Sequence, residues 1–148
     1  MLSTPILLDY QSSTPCSKDV VDSMKPFWSE IFFNPSSKSN LAGINASAIL
    51  EASREKIEQN LFLKNKKVIF TSGATESNNL ALLGFARNYY KKTGNFGHII
   101  TLKTEHKAVL EPLHQLKKEG FMVTEITPER DGIISEEQFR KNIREDTF

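Results

Sequence analysis

The apolar run Val68-Ile69-Phe70 stops at Thr71-Ser72-Gly73, and a long, mostly apolar helical pattern starts at once from Ala74-Thr75-Glu76. This reads as a strand, a tight turn and a helix N-terminus in immediate succession. The free N–H groups of such a terminus, together with its macrodipole, favour an anion there. Gly73 lets the backbone turn sharply, Ala74 leaves the approach uncrowded, and Thr75 adds a hydroxyl donor. The segment therefore reads as a cradle for a phosphate group. It is not the dinucleotide glycine fingerprint, because the Gly-x-Gly-x-x-Gly spacing is missing, and no Gly-Lys-Ser/Thr follows to make a Walker loop. The alternative is an ordinary strand-to-helix turn capped by Ser72 or Thr75, since caps and anion sites use the same residues.

The same arrangement recurs downstream. His98-Ile99-Ile100 reads as a strand, and Thr101-Leu102-Lys103-Thr104-Glu105-His106 leads into a second helical pattern. The rest of the chain alternates in the same way. Ile6-Leu7-Leu8 is a short strand or extended entry. Ser17 can cap a helix carrying Val20, Val21, Met24, Phe27, Trp28 and Ile31, which Pro26 should kink or interrupt. Residues 33–43, rich in Asn, Ser and Pro, read as a loop. An amphipathic helix follows, with Ala46, Ile49, Leu50, Ser53, Ile57 and Leu61 on one stripe.

Next come a strand over 68–71 and a helix from Thr75 to about Lys92, apolar nearly all round over 80–86 and so expected to be buried on more than one side. A strand over 98–102, a helix over 108–118, a strand over 121–126 and a helix from about Ser135 complete the pattern. Ser135 and Gln138 make a capping box for that last helix, with Phe139 and Ile143 turned inward. Alternation of this kind implies an α/β layer structure with a largely parallel sheet.

Composition narrows the function classes. With 39% hydrophobic and 25% charged residues the chain is that of a soluble globular protein, and 148 residues suffice for one domain with a real core. A formal charge of +1 gives no reason to expect nucleic acid or an anionic membrane as partner. The apolar runs are too short to span a bilayer, and Met1-Leu2-Ser3-Thr4-Pro5 does not resemble a secretion signal. A lone cysteine fits a reducing cytosol, so a cytoplasmic location is expected. His98 and His114 have no metal-ligand spacing to Cys or to another His, so no metal is expected.

Taken in order, several segments resemble the cysteine desulfurases, of the class V aminotransferase group of pyridoxal-phosphate (PLP) enzymes. They are Leu8-Asp9-Tyr10 with Thr14-Pro15, Asn34-Pro35-Ser36-Ser37, Thr71-Ser72-Gly73-Ala74-Thr75-Glu76-Ser77, Thr104-Glu105-His106-Lys107-Ala108-Val109-Leu110 and Asp131-Gly132-Ile133-Ile134. The similarity runs from about Ile6 to Phe148. It implies a fold-type I PLP enzyme: residues 1–148 would be an N-terminal segment and part of the PLP-binding large domain, truncated before its mostly parallel, helix-flanked sheet is complete.

By resemblance, Ala74 and Thr75 hold the cofactor phosphate. His106 stacks on the cofactor ring and shuttles protons, a task suited to a flat group that titrates near neutrality. The resemblance further implies L-cysteine as substrate, L-alanine and an enzyme-bound persulfide as products, iron–sulfur scaffolds or other sulfur acceptors as partners, and a homodimer.

The family's Schiff-base lysine in its Ser-x-His-Lys setting, the aspartate paired with the pyridinium nitrogen, and the mobile-loop cysteine match no segment here. The chain alone is therefore expected to be inactive and to need a complementing C-terminal half. The alternatives are a non-catalytic truncated remnant, or a fragment of a selenocysteine lyase, a sulfinate desulfinase or another class V aminotransferase.

Two departures from the family pattern stand in the Asn34 loop: Phe33 in place of the usual Gly, and Asn40 in place of the usual His. Glu76 reads as complementing the helix dipole, Asn78 and Asn79 as supporting the turn, and Lys64-Asn65-Lys66-Lys67 as a solvated turn. Cys16 does not match the persulfide cysteine and reads as a small packing residue.

Overall fold

The computed structural model describes residues 8–64 and 66–148, and the chain divides into two compact units with the boundary between Val68 and Ile69. The extended entry expected over 6–8 and the turn at Asn65 lie wholly or partly outside the described residues.

The first unit is helical. α1 (Lys18–Met24) is capped by Ser17, whose side chain accepts the Val20 N–H. Pro26 interrupts the pattern as expected: the chain restarts as α2 (Pro26–Ser29), with proline in the first turn, where no N–H is needed. α3 (Leu41–Asn60) begins earlier than the sequence suggests. The reason is Asn40, whose Oδ1 accepts the Gly43 N–H at 2.8 Å and so caps the helix inside the expected loop.

The loop before that cap closes on itself. Asn34 Oδ1 accepts from the Ser36 N–H, and Asn40 Nδ2 donates to Ser37 Oγ. A Cβ on Gly43 would stand 2.2 Å from the Ser37 carbonyl oxygen, so this buried position admits only glycine. The expected α3 stripe is half-buried at Ala46, Ile49, Leu50 and Ile57, but Ser53 and Leu61 are exposed. Cys16 is exposed rather than packed.

The strand expected over 68–71 does not form. A strand needs a ladder, and Val68 spends its polar groups on α3 instead: its N–H donates to Glu58 Oε1, and its carbonyl accepts from the Arg54 guanidinium.

The second unit is the α/β part. Its order is α4 (Ala74–Thr93), β1 (His98–Leu102), α5 (Lys107–Glu119), β2 (Met122–Ile126) and α6 (Glu136–Asn142). β1 and β2 are parallel, with His98 opposite Met122 and Leu102 opposite Ile126. Strand alternation places Ile99, Thr101, Val123 and Glu125 on one face. Ile99 and Val123 pack there against Ala86, Leu113, Leu116 and Phe121, the buried core. α6 packs against β2, and its full Ser135–Gln138 capping box is present.

A second parallel contact forms on the free side of β1. His98 N–H donates to the Asp146 carbonyl, the Phe148 N–H donates to the His98 carbonyl, and Thr147 bridges to His98. Phe148 thereby stacks on Tyr89 of α4 at 4.1 Å.

Two burial expectations are corrected. α4 buries one side only: Ala86 is fully buried, whereas Leu80 and Phe85 are 51% and 63% exposed. Among the described residues α5 packs along α4, and Phe148 stacks on its Tyr89 and, at 5.7 Å, on its Phe85. Phe139 and Ile143 are likewise exposed by 41% and 48% rather than inward. No described helix is long and apolar enough to cross a membrane.

Candidate functional site

The site is built from two helix N-termini in the second unit. α4 reaches β1 through the short link 94–97, and β1 reaches α5 through the short link 103–106. Both helices therefore run back against β1, parallel to each other, with their N-termini at the carboxyl end of that strand. Open α/β sheets place their ligands at this end.

The helices are also held level. Arg87 lies thirteen residues past Ala74, and Glu119 twelve past Lys107. Their side chains form a two-pronged ion pair, with Nη2–Oε1 at 2.6 Å and Nε–Oε2 at 3.0 Å. At about 1.5 Å of rise per residue, the two N-termini sit about 18–20 Å back from the clamp, side by side. Glu119 takes a further bond from Gln115, and the Arg87 guanidinium is the main cause of its pKa falling to about 2.

At the α4 terminus the N-cap is Gly73 (φ 159°, ψ −175°), and no side chain caps the first turn. Ordinary capping by Ser72 or Thr75 is thus not what the structure contains. Of the four hydroxyls around the turn, three are committed. Thr71 Oγ1 donates to the Gly73 carbonyl or meets Ser77 Oγ at 2.6 Å, and Ser72 Oγ donates to Glu76 Oε2 at 2.6 Å. The Thr75 hydroxyl has no protein partner among the described residues, and the N–H groups of Ala74 and Thr75 face outward without a cap. Nothing lies within 4 Å of where a Gly73 Cβ would be, so the approach is open. Uncapped amides, one uncommitted hydroxyl and a twenty-residue helix dipole suit a phosphate monoester.

Glu76, the acidic residue of this first turn, also takes the Ser72 N–H at 2.7 Å, and those two bonds lower its pKa. Asn79 Nδ2 donates to the Thr75 carbonyl, which supports the turn from within the helix; Asn78 is half-buried beside it.

His106 is exposed and is the N-cap of α5, with Nδ1 accepting the Ala108 N–H at 3.0 Å. In the neutral imidazole, an Nδ1 that accepts leaves Nε2 as the nitrogen that donates. This role is not visible in the residue type, because histidine is an uncommon cap. The bonds of Glu76 to Ser72 are likewise unforeseen; the only signal is a glutamate at the third helical position, where capping-box carboxylates sit. His98 is fully buried, with each ring nitrogen on a threonine hydroxyl. Among the described residues no group of His, Cys, Asp and Glu could hold a metal ion.

The chain is similar to known proteins over nearly its whole length. The cysteine desulfurase IscS of Neisseria meningitidis serogroup C is 43% identical over 147 residues, which is 99% of this chain and 36% of that protein. That of Ehrlichia chaffeensis is also 43% identical, over 35% of its length. The chain thus spans about a third of the curated relatives it matches. Among solved structures, SspA in complex with cysteine superposes with a TM-score of 0.81 at 41% identity, over 95% of this chain and 39% of that one. A NifS-like protein superposes at 0.82 with 34% identity, over 95% and 37%. The aminotransferase class-V family profile matches residues 6–148, and the chain belongs to that family.

Proposed function

We propose that this chain is the phosphate-anchoring part of a PLP-dependent cysteine desulfurase. The observation that carries the reading is the level pair of N-termini at the carboxyl end of β1, one open and glycine-capped, the other capped by an exposed histidine. The relatives named cysteine desulfurase, and the similarity to a structure described with cysteine, support the substrate class.

In this reading the Ala74 and Thr75 N–H groups and the Thr75 hydroxyl hold the cofactor phosphate. The His106 ring lies against the cofactor and exchanges a proton at Nε2, since Nδ1 is held by the Ala108 N–H. PLP, when bound, supplies the electron sink for breaking bonds at the substrate's α- and β-carbons. L-Cysteine would leave as L-alanine, its sulfur retained as a persulfide on a cysteine thiol and passed to sulfur acceptors such as iron–sulfur scaffold proteins. The lysine that holds the cofactor covalently, the aspartate on its ring nitrogen and the sulfur-accepting cysteine would come from a complementing C-terminal portion, in a homodimer like that of the family.

The test is to co-express the chain with the C-terminal portion of a desulfurase relative and assay sulfide release from L-cysteine. Activity that needs both pieces and is lost in His106→Ala supports the reading. A co-purifying, PLP-loaded pair without activity overturns it.

A further inference from the structure

The open cradle at α4 depends on a residue that does not face it. An ordinary N-terminus would have a Ser, Thr, Asp or Asn at the cap, whose oxygen would take the second or third amide of the helix. Gly73 cannot do this. Ser72, one residue earlier, carries a hydroxyl that could swing in, because a glycine link is conformationally permissive. Glu76 prevents it. Its Oε2 accepts both the Ser72 N–H at 2.7 Å and the Ser72 hydroxyl at 2.6 Å. A capping-box glutamate reaches back to the N-cap amide; this one reaches one residue further and occupies the competing hydroxyl. The Thr71–Ser77 contact braces the other side of the same turn.

We infer that Glu76 is the positioning residue of the phosphate cradle, holding Ser72 away so that the Ala74 and Thr75 amides stay free for a phosphate monoester. The inference rests on the cradle reading above and assigns within it a residue that would not touch the ligand. Charge alone argues the opposite way: a carboxylate in the first turn repels a phosphate, so its removal should tighten binding. The two effects separate by substitution. Glu76→Ala removes both acceptor and charge. Glu76→Gln removes the charge but keeps one oxygen, and both Ser72 bonds converge on one oxygen.

The probes are pyridoxal 5′-phosphate and pyridoxal, which differ by the phosphate, titrated into the purified 148-residue chain. The readout is the ratio of the two affinities, which a general loss of folding would not shift selectively. Glu76→Ala should lower the preference for the phosphorylated form by about tenfold, as expected for freeing a hydroxyl to cap the helix. Glu76→Gln should restore it. Equal or stronger phosphate preference in Glu76→Ala overturns the inference and leaves the cradle intact. A wild-type chain with no phosphate preference overturns the cradle itself. Should Glu76→Ala not fold, the wild-type Ser72 amide resonance decides: it must titrate with the Glu76 carboxylate, and a pH-independent Ser72 signal refutes the bond.

Discussion

His98 Nδ1 lies 2.8 Å from Thr147 Oγ1, forty-nine residues along the chain, and its Nε2 lies 2.7 Å from Thr124 Oγ1. One fully buried imidazole thus ties the first residue of β1 to both of its neighbours, β2 and the segment that bridges at Thr147.

Burial lowers the His98 pKa, the nearby Arg144 charge adds to this, and Asp146 opposes it. The unfolded chain takes up this proton near pH 6.5, and the folded chain resists it. Below that pH the unfolded state therefore binds more protons. The His98 contribution to stability is complete above about pH 6.5 and falls as the pH drops toward the lowered folded value. Chemical denaturation across pH 5–8 should show this decline, and Thr147→Val should reduce the midpoint by leaving one ring nitrogen unpaired, at a cost of about 1–3 kcal/mol. A pH-independent midpoint across this range would refute it.

Much of this unit can be read from sequence because its elements are settled locally. β1 and α5 fall where apolar pattern and flanking polar residues put them, and Ser135 with Gln138 announces α6. What the sequence misses depends on non-local partners. Val68–Phe70 has the composition of a strand, but a strand exists only beside another, and α3 side chains take the Val68 polar groups. The apolar flank of α4 keeps Leu80 and Phe85 largely exposed, with Phe148 stacked on Phe85 at 5.7 Å. At the site, Ala74, Thr75 and His106 stand out through motif resemblance. The cap made by His106 and the tether made by Glu76 appear only once the backbone brings them within bonding distance.

Leu116 is fully buried at the centre of the cluster formed with Ala86, Leu113 and Phe121. Leu116→Ala removes apolar contacts on both α4 and the sheet and leaves a cavity, so it should cost about 2–5 kcal/mol. Urea denaturation would check this. A loss below that range would mean that the helices collapse to fill the space.

The Asn34–Gly43 loop departs from the family pattern and still closes, through bonds of its own. Gly43→Ala should destabilise the first unit more than Asn40→Ala. The added methyl meets the Ser37 carbonyl oxygen, a backbone atom that cannot rotate away, at 2.2 Å. Loss of the Asn40 cap costs about 1 kcal/mol. Amide exchange at the start of α3 is the measurement, and equal protection in the two variants would show that the loop can move aside.

The last prediction concerns the chain by itself. Its candidate site offers groups suited to holding a ligand: the uncapped amides and the Thr75 hydroxyl at the start of α4, and an exposed imidazole that caps α5. None of its lysines stands in the Ser-x-His-Lys setting that anchors the cofactor in the family, and Cys16, although exposed, stands outside any segment matching the sulfur-accepting loop. Holding a cofactor by its phosphate does not activate the substrate, because catalysis needs groups that stabilise the transition state. The purified chain, given L-cysteine, PLP and a thiol reductant, should release sulfide no faster than a heat-killed control. Release well above that control would overturn the expectation. Repeating the assay with Cys16→Ala would then show whether Cys16 serves as the acceptor, since only an acceptor's removal abolishes turnover while leaving PLP binding unchanged.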